Sequence, residues 1–460
     1  MSVLLPPAFL ESIASVPGFD REAFIAAHQS SAPVSVRLHP QKGNGLWDDL
    51  PVVPWCSDGR YLPERPLFTG DPLFHAGAYY VQEASSMLLA AVAKFLFGGA
   101  KNLRVLDLCA APGGKSTLLA SMLEESSLLI SNDVIRNRAT ILEESMIRWG
   151  YTNTWVTSND PRDFGRMPGY FDVVLVDAPC SGSGLFRKDA GAMKEWSVEA
   201  VTSCSLRQQR ILADVWPCLK ENGILIYATC SYSSQEDEAI CDWLADEFSV
   251  EGIPLDFSME WGVVESISSK NKMLGYRCFP NKVQGEGFFI SAFRKLSRTP
   301  AFYYKSFRAA KLKRAQEASL KLLRSGKFSI LEDARRAAFA VYPWHEPDYH
   351  FLQELVYLRK PGIRLGMAAQ KDWIPEHDVA LSLDKNTSLP QWNMSKEVAL
   401  AFLKKESIEA PPNLGGGWMI ASYEGRSLGW VKVLANRVNN YLPKHWKIRM
   451  EIPDLDAGKE

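Results

Sequence analysis

Two cysteines stand where an open α/β sheet gathers its chemistry. Cys180 lies in Asp177-Ala-Pro-Cys-Ser-Gly-Ser-Gly184 and Cys230 in Thr229-Cys-Ser231, and each follows a short apolar run, Phe171 to Asp177 and Gly223 to Thr229. Both runs read as strands, and in doubly wound sheets binding and catalysis occupy the crevice at the carboxyl ends of the strands. Two thiols at two such ends are therefore candidates to share one cleft. A cysteine at a strand end is most often a small buried apolar residue. Cys109, Cys204, Cys218, Cys241 and Cys278 fit that role. Cys180 and Cys230 differ because Pro, Ser and Gly neighbours put them in loops. A third strand-to-helix junction, Asp107-Leu-Cys-Ala-Ala-Pro-Gly-Gly-Lys-Ser116, supplies a glycine turn. Such a turn beside two thiols suggests group transfer through a covalent adduct.

Gly114-Lys115-Ser116 matches the end of a phosphate-binding P-loop, but that motif needs a glycine five positions earlier, where Cys109 stands. The dinucleotide fingerprint G-x-G-x-x-G is absent as well. What remains is a tight turn that lets a cofactor lie close to the main chain. In such folds an acid about 20 residues on binds the ribose. Asp133 comes nineteen residues after Gly114 and closes the run Leu128 to Asp133. Asp107, Asp133, Asp160 and Asp177 close four successive strand-like runs. One acid in this position usually caps a helix. Four in register with a glycine turn point to a nucleoside-bearing cofactor such as S-adenosylmethionine.

A sulfonium methyl donor beside a thiol suits one chemistry in particular. C5 of a pyrimidine is too weak a nucleophile to attack the methyl directly. Addition of a thiolate at C6 makes an enamine whose C5 can attack, and loss of the C5 proton with β-elimination then frees the enzyme. A free thiol ionises near about 8.5, so its neighbours must activate it. Hydrogen bonding at N3 also makes C6 more electrophilic. Asp177, three residues before Cys180, suits that contact, and Lys115 either holds Asp177 or is a solvated lysine at a helix start.

The elements that must position these groups follow from patterning. At 460 residues the chain exceeds one core, so two to four units are expected. Hydrophobic content of 46% and charged content of 23% are ordinary for a globular protein, and a net charge of −1 excludes a global field toward nucleic acid. Eight cysteines without a Cys-x-x-Cys pair argue against a zinc site and for a reducing compartment. Neither a signal peptide nor an apolar membrane span is visible, so a cytoplasmic protein without membrane or metal partners is expected. Residues 1–100 mix short helices and Pro-rich loops and end on an expected helix from Glu83 to Leu96. Residues 101–296 alternate strands and helices, an α/β fold with a Rossmann-like sheet. They end in a hairpin around Gln284-Gly285. Within a basic segment, 297–375, the stretch from Lys305 to Lys327 holds Lys305, Arg308, Lys311, Lys313, Arg314, Lys321, Arg324 and Lys327, opposed there only by Glu317. Residues 376–460 contain short β-like runs, Trp418 to Ser422 and Leu428 to Val433, which suggest a small β-rich module.

On the Asp-Ala-Pro-Cys-Ser-Gly-Ser-Gly and Thr-Cys-Ser segments, the chain closely resembles the RNA cytosine-5 methyltransferases of the NOL1/NOP2/Sun (fmu) family. The matching residues run from about Ser35 to Arg294, and Arg277 to Pro280 with Gly285-Glu-Gly-Phe-Phe289 is similar to the family's terminal hairpin. The resemblance implies that Cys230 is the nucleophile, that Cys180 assists product release, and that Asp177 and Lys115 are active-site groups. It implies an S-adenosylmethionine site made of Cys109, Ala110, Ala111, Pro112, Gly113, Gly114 and Lys115, with Asp133, Arg138, Asp160 and Asp177. DNA enzymes of similar chemistry use the Pro-Cys thiol instead. Gly366, Pro375-Glu-His377, Gly429-Trp430 and Asn439-Asn-Tyr-Leu-Pro443 resemble the extensions of the RsmF (YebU) branch, with its C-terminal PUA-like module. That branch implies 16S (small-subunit) ribosomal RNA, free or in the assembled subunit, as the RNA partner. Transfer RNA as substrate, or a ribosome-assembly factor whose RNA binding outweighs its methyl transfer, are the alternatives.

Overall fold

The structure is a computed structural model that describes residues 5–300, 302, 319–324, 326, 328–332, 337–369 and 372–452. Among the expected basic residues, Lys305, Arg308, Lys311, Lys313, Arg314 and Lys327, with Glu317, lie outside the described residues.

A four-stranded sheet opens the chain: β1 (Val34–Leu38), β2 (Val52–Val53), β3 (Cys56–Leu62) and β4 (Tyr79–Val81), in the order β2-β3-β1-β4. The helix expected over Glu83 to Leu96 forms in two parts, a 3-10 turn at Ser85–Leu88 and an α-helix at Leu89–Phe97. The turn comes first because both carboxylate oxygens of Glu83 accept local backbone N–H groups, those of Ser85 and Ser86 at 2.9 Å. Beyond it Leu89, Val92, Ala93 and Phe97 are buried at helical spacing, one apolar face turned to the sheet.

Residues 104 to 295 build the central sheet: β5 (Arg104–Asp107), β6 (Leu128–Asn132), β7 (Thr154–Thr157), β8 (Phe171–Asp177), β9 (Leu219–Thr229), β10 (Val250–Gly252), β11 (Val264–Ile267), β12 (Leu274–Cys278) and β13 (Phe288–Lys295). The order is β11-β12-β13-β9-β8-β5-β6-β7, with β10 on β13. Strands β5 to β9 pair in parallel, and β13 enters antiparallel beside β9. Both faces of the parallel part are covered, so its strands read as apolar runs rather than alternations. Val105, Leu129, Val173 and Leu175 join one core, while Leu106, Ile130, Val174 and Val176 join the other. Successive side chains point to opposite faces, and each face meets its own layer of helices. The expected hairpin is present, with Tyr276 opposite Ile290 and Cys278 opposite Phe288.

The segment after the hairpin is not a separate connector. Leu358–Lys360 pairs antiparallel with β7 and extends the central sheet by one strand. Ser329–Glu332, Ala338–Val341, Ile363–Ala369 and Asp372–Pro375 form an antiparallel sheet of their own. The final sheet runs Gln391–Met394, Gly417–Tyr423, Arg426–Leu434 and Arg437–Asn440 and carries the two β-like runs expected there. No helix among the described residues is long and apolar enough to cross a membrane.

Candidate active site

Strand order reverses at β5, which has β6 on one side and β8 on the other. Loops leaving the carboxyl ends of neighbouring strands part there and leave a crevice. Asp107 is the last residue of β5, Asp177 the last of β8 and Thr229 the last of β9. The crevice is a cavity of about 340 Å³ whose wall includes Asp107, Cys109, Ala110, Ala111, Pro112, Gly114, Lys115, Asp177 and Cys230. The two thiols meet as expected, with Cys180 Sγ 3.1 Å from Cys230 Sγ. Of these two, only Cys230 contributes to the cavity wall.

The glycine turn leads into the Gly114–Met122 helix. Gly113 sits at φ +112°, and a Cβ there would lie 2.9 Å from Cβ of Ser145. Both facts demand glycine at this position; Gly113 itself is not part of the wall, whereas Pro112 and Gly114 on either side of it are. Lys115 Nζ donates to Asp177 Oδ2 at 2.7 Å and lies 5.1 Å from the centre of the Phe288 ring. Burial pulls the Lys115 ammonium down, but the Asp177 carboxylate outweighs it and the net shift is upward. Asp107 is fully buried, and its Oδ2 accepts from Ser116 Oγ at 2.6 Å. Burial pushes its carboxyl up to about 7, against the pull of that hydrogen bond. Its Oδ1 has no partner although it is buried beside the cavity. An orphaned acceptor next to exposed backbone fits a ligand that brings its own cation and donors. The hydrogen bond to Cys230, with burial, pushes the Cys180 thiol up.

Other expected groups lie outside this wall. Asp133 is 2% exposed; its Oδ1 accepts from Ile135 N–H at 2.8 Å, and its Oδ2 lies 3.4 Å from Arg138. Arg138 reaches the cofactor turn from behind, donating to Ala111 O at 2.8 Å. Asp160 caps the Pro161–Phe164 helix through Arg162 N–H at 3.2 Å, the ordinary use of an acid at a strand end. The expectation that Cys109, Cys204, Cys218, Cys241 and Cys278 are all buried needs correction. Cys218, Cys241 and Cys278 are buried, but Cys109 and Cys204 are half-buried, and Cys109 lies on the cavity wall. The glycine turn lifts Cys109 out of the strand and exposes it.

Sequence reasoning missed the part of the wall supplied by residues before the sheet. Tyr80, Val81, Gln82, Glu83 and Ser86 face the cavity, with Leu185, Gly287 and Phe288 opposite. Arg37, 1% exposed, fixes that segment: its Nε donates to Gln82 Oε1 at 2.8 Å and its Nη2 to Thr117 Oγ1 at 2.6 Å. Glu83 also accepts from Glu286 N–H at 2.9 Å, which pins the hairpin loop to the same segment. The available signal was the polar pair Gln82-Glu83 placed between a strand and two serines.

Comparison with known proteins agrees with this geometry. Residues 96–294 match the 16S rRNA methyltransferase RsmB/F, residues 5–84 the N-terminal domain of 16S rRNA methyltransferase RsmF, and residues 391–448 the methyltransferase RsmF PUA domain. A ribosomal RNA small subunit methyltransferase F from Vibrio atlanticus is 30% identical over 96% of this chain and 98% of its own length. The chain belongs to the RsmB/F methyltransferase family. A second relative in this RsmB/F group, the ribosomal RNA small subunit methyltransferase F of Aeromonas hydrophila, is 29% identical over 96% of this chain and 97% of its own length. A methyltransferase homolog protein from Pyrococcus horikoshii shares the fold, with a TM-score of 0.51, 27% identity and coverage of 64% of this chain and 100% of that one. NSun6 from the same organism, solved with SFG, matches at a TM-score of 0.53 and 18% identity over 65% of this chain and 100% of that one, and it speaks to the fold alone. The RsmB/F chain is thus an S-adenosylmethionine-dependent methyltransferase with a Rossmann-like sheet and a PUA domain.

Proposed function

We propose that this enzyme methylates C5 of a cytosine in 16S rRNA, in the cytoplasm, through a covalent bond between Cys230 and C6 of the base. The observation that carries the choice of nucleophile is that Cys230 lines the cavity with Lys115 and Asp177, while Cys180, 3.1 Å from it, does not line it. A thiol held up by burial and by its partner stays protonated at neutral pH and is a poor nucleophile, which suits Cys180 to a later step.

S-adenosylmethionine supplies an electrophilic methyl group when bound. The turn from Cys109 to Lys115 offers its backbone, and Asp107 Oδ1 offers an unpaired acceptor for the ammonium end. In our reading Asp133 and Arg138 take the ribose side, with Asp160 at the far edge. Cys230 loses its proton and its sulfur bonds to C6. Asp177, oriented by Lys115, holds the protonated form of N3, which draws electron density away from C6 toward N3. C5 then takes the methyl group. A base removes the C5 proton, the C6–S bond breaks, and the electron pair returns to Cys230. Cys180 serves this last step.

Domain roles follow the same reading. Residues 1–100 cover the site, 101–296 carry out the chemistry, and 297–375 and the PUA-like 376–460 hold RNA. Bisulfite sequencing of ribosomal and transfer RNA from a deletion strain tests the assignment. One cytosine in 16S rRNA should lose its methyl group and regain it on complementation. A lost mark in transfer RNA instead would move the substrate, and no lost mark in either would overturn it.

A further inference from the structure

We infer that Glu236 is a positioning residue that clamps the two thiol-bearing loops together, so that steps at Cys230 and at Cys180 both depend on one buried carboxylate. This rests on the methyl-transfer reading above. Glu236 is 0% exposed and precedes the Glu238–Glu247 helix. Its Oε1 accepts from Ser181 N–H at 2.7 Å, and its Oε2 accepts from Ser181 Oγ and from Ser231 Oγ, each at 2.6 Å. Ser181 follows Cys180 and Ser231 follows Cys230, so the carboxylate grips each loop one residue from its thiol. Gln208 Nε2 approaches Oε1 at 3.4 Å and donates to Pro179 O at 3.1 Å, bracing the Cys180 side again.

Glu236 is itself anchored. Tyr227 Oη, on β9, donates to Glu236 O at 2.6 Å, and Glu236 N–H donates to Ser233 O at 3.0 Å. The strand that delivers Cys230 therefore also fixes the group that ties in Cys180.

The donors on this carboxylate are neutral, and a buried charge held only by neutral donors is costly, so a clamp of this kind needs a reason to be charged. Geometry provides one. Three strong donors converge on two oxygens, and a carboxylate accepts from all three without either hydroxyl having to reverse. An amide would turn an NH2 toward either the Ser181 N–H or the two hydroxyls. The same carboxylate adds to the hydrogen bond with Cys230 and to burial in keeping the Cys180 thiol protonated.

The test uses the full chain with Glu236→Gln. The fold should persist and calorimetry should show S-adenosylmethionine affinity within about twofold, because the glycine turn lies on another element. RNA KM should change by less than about threefold while kcat falls by about 100-fold, the scale set by small misplacement of reacting groups. Ser181→Ala and Ser231→Ala each remove one hydroxyl and divide the effect. Ser181→Ala should lengthen the life of the covalent protein–RNA complex, and Ser231→Ala should slow its formation. A residue with only a structural role would lower the melting temperature and leave kcat of the folded variant alone. A folded Glu236→Gln with kcat within about threefold of wild type overturns the clamp. Should that variant not fold, two serine variants with wild-type adduct kinetics overturn it equally. Failure of the wild type to trap 5-fluorocytosine RNA would instead defeat the covalent reading beneath it.

Discussion

The thiol pair sets the sharpest expectation at the scale of single residues. Cys230→Ala should abolish both methylation and any covalent complex with RNA. Cys180→Ala should still attack C6 and transfer methyl, then stall as a complex that survives denaturing gels, because release alone needs the second thiol. The reversed pattern would make Cys180 the nucleophile. Asp107 gives a second expectation, in stability rather than turnover. Its folded carboxyl holds a proton up to about 7, well above the 3.8 of an ordinary aspartate. The folded state therefore binds more protons across that interval, and its contribution is full below the ordinary value and lost as pH rises through about 7. Thermal melts of the cofactor-free protein should fall between these two pH values, and Asp107→Asn should flatten that fall. Asp107→Asn should also weaken S-adenosylmethionine, by about tenfold for one charged hydrogen bond. A variant with the wild-type melting profile would move the titrating group elsewhere.

Elements meet in this site at distances that leave no room for side chains. Gly184 N–H donates to Cys230 O at 2.8 Å, and Gly287 N–H donates to Gly184 O at 3.3 Å, so three loops touch through bare backbone. A Cβ on Gly184 would lie 2.6 Å from both Cys230 O and Gly287 O. Gly184→Ala should push the Cys180 loop off the Cys230 strand end and off the hairpin. We expect kcat to fall by about 100-fold and stability by about 1–3 kcal/mol, with cofactor affinity kept because the glycine turn is on another element. Calorimetry alongside single-turnover methylation separates these. The same hairpin is locked from within: Arg277, 1% exposed, donates through Nε to Glu238 Oε1 at 2.6 Å and pairs through Nη1 with Asp237 at 2.9 Å. Asp237 in turn accepts from Thr229 Oγ1 at 2.6 Å, directly before Cys230.

Across the whole molecule, the segments after residue 296 are built into the catalytic unit. Asp348 accepts from Arg104 Nε and Nη2 at 2.7 Å and from Tyr170 Oη at 2.5 Å, welding the Glu346–Leu352 helix to the start of β5. Lys42 Nζ donates to Arg148 O at 2.6 Å and to Leu381 O at 2.8 Å, joining three distant stretches of chain. The segments after the hairpin are thus hydrogen-bonded directly to the catalytic unit. Asp348→Ala should take the shared carboxylate away from a half-buried arginine and a buried tyrosine hydroxyl and cost up to about 3–5 kcal/mol, the upper range for breaking a buried pair. Denaturant melts that show less than about 1 kcal/mol would mean that the weld is weak. Arg324, one of the expected basic residues, donates to Glu125 at 2.6 Å, and its own N–H donates to Asp384 O at 2.8 Å. It ties the segment to the catalytic unit.

What the chain determined by itself was local. Apolar runs that end in acids, a glycine turn and loop-forming neighbours around two cysteines are short-range signals, and they sufficed for the central strands, the cofactor turn and the meeting of Cys180 with Cys230. Tertiary structure decided the rest because the remaining signals are long-range. Gln82 and Glu83 reach the cavity only once Arg37 and the hairpin hold them there. Leu358–Lys360 is a strand only because β7 offers an unpaired edge. Asp133 has one oxygen on Ile135 N–H and the other near Arg138, partners its place at a strand end did not disclose. Glu236, in an unremarkable polar run, acquires its role only when folding brings Ser181 to it across 55 residues of chain.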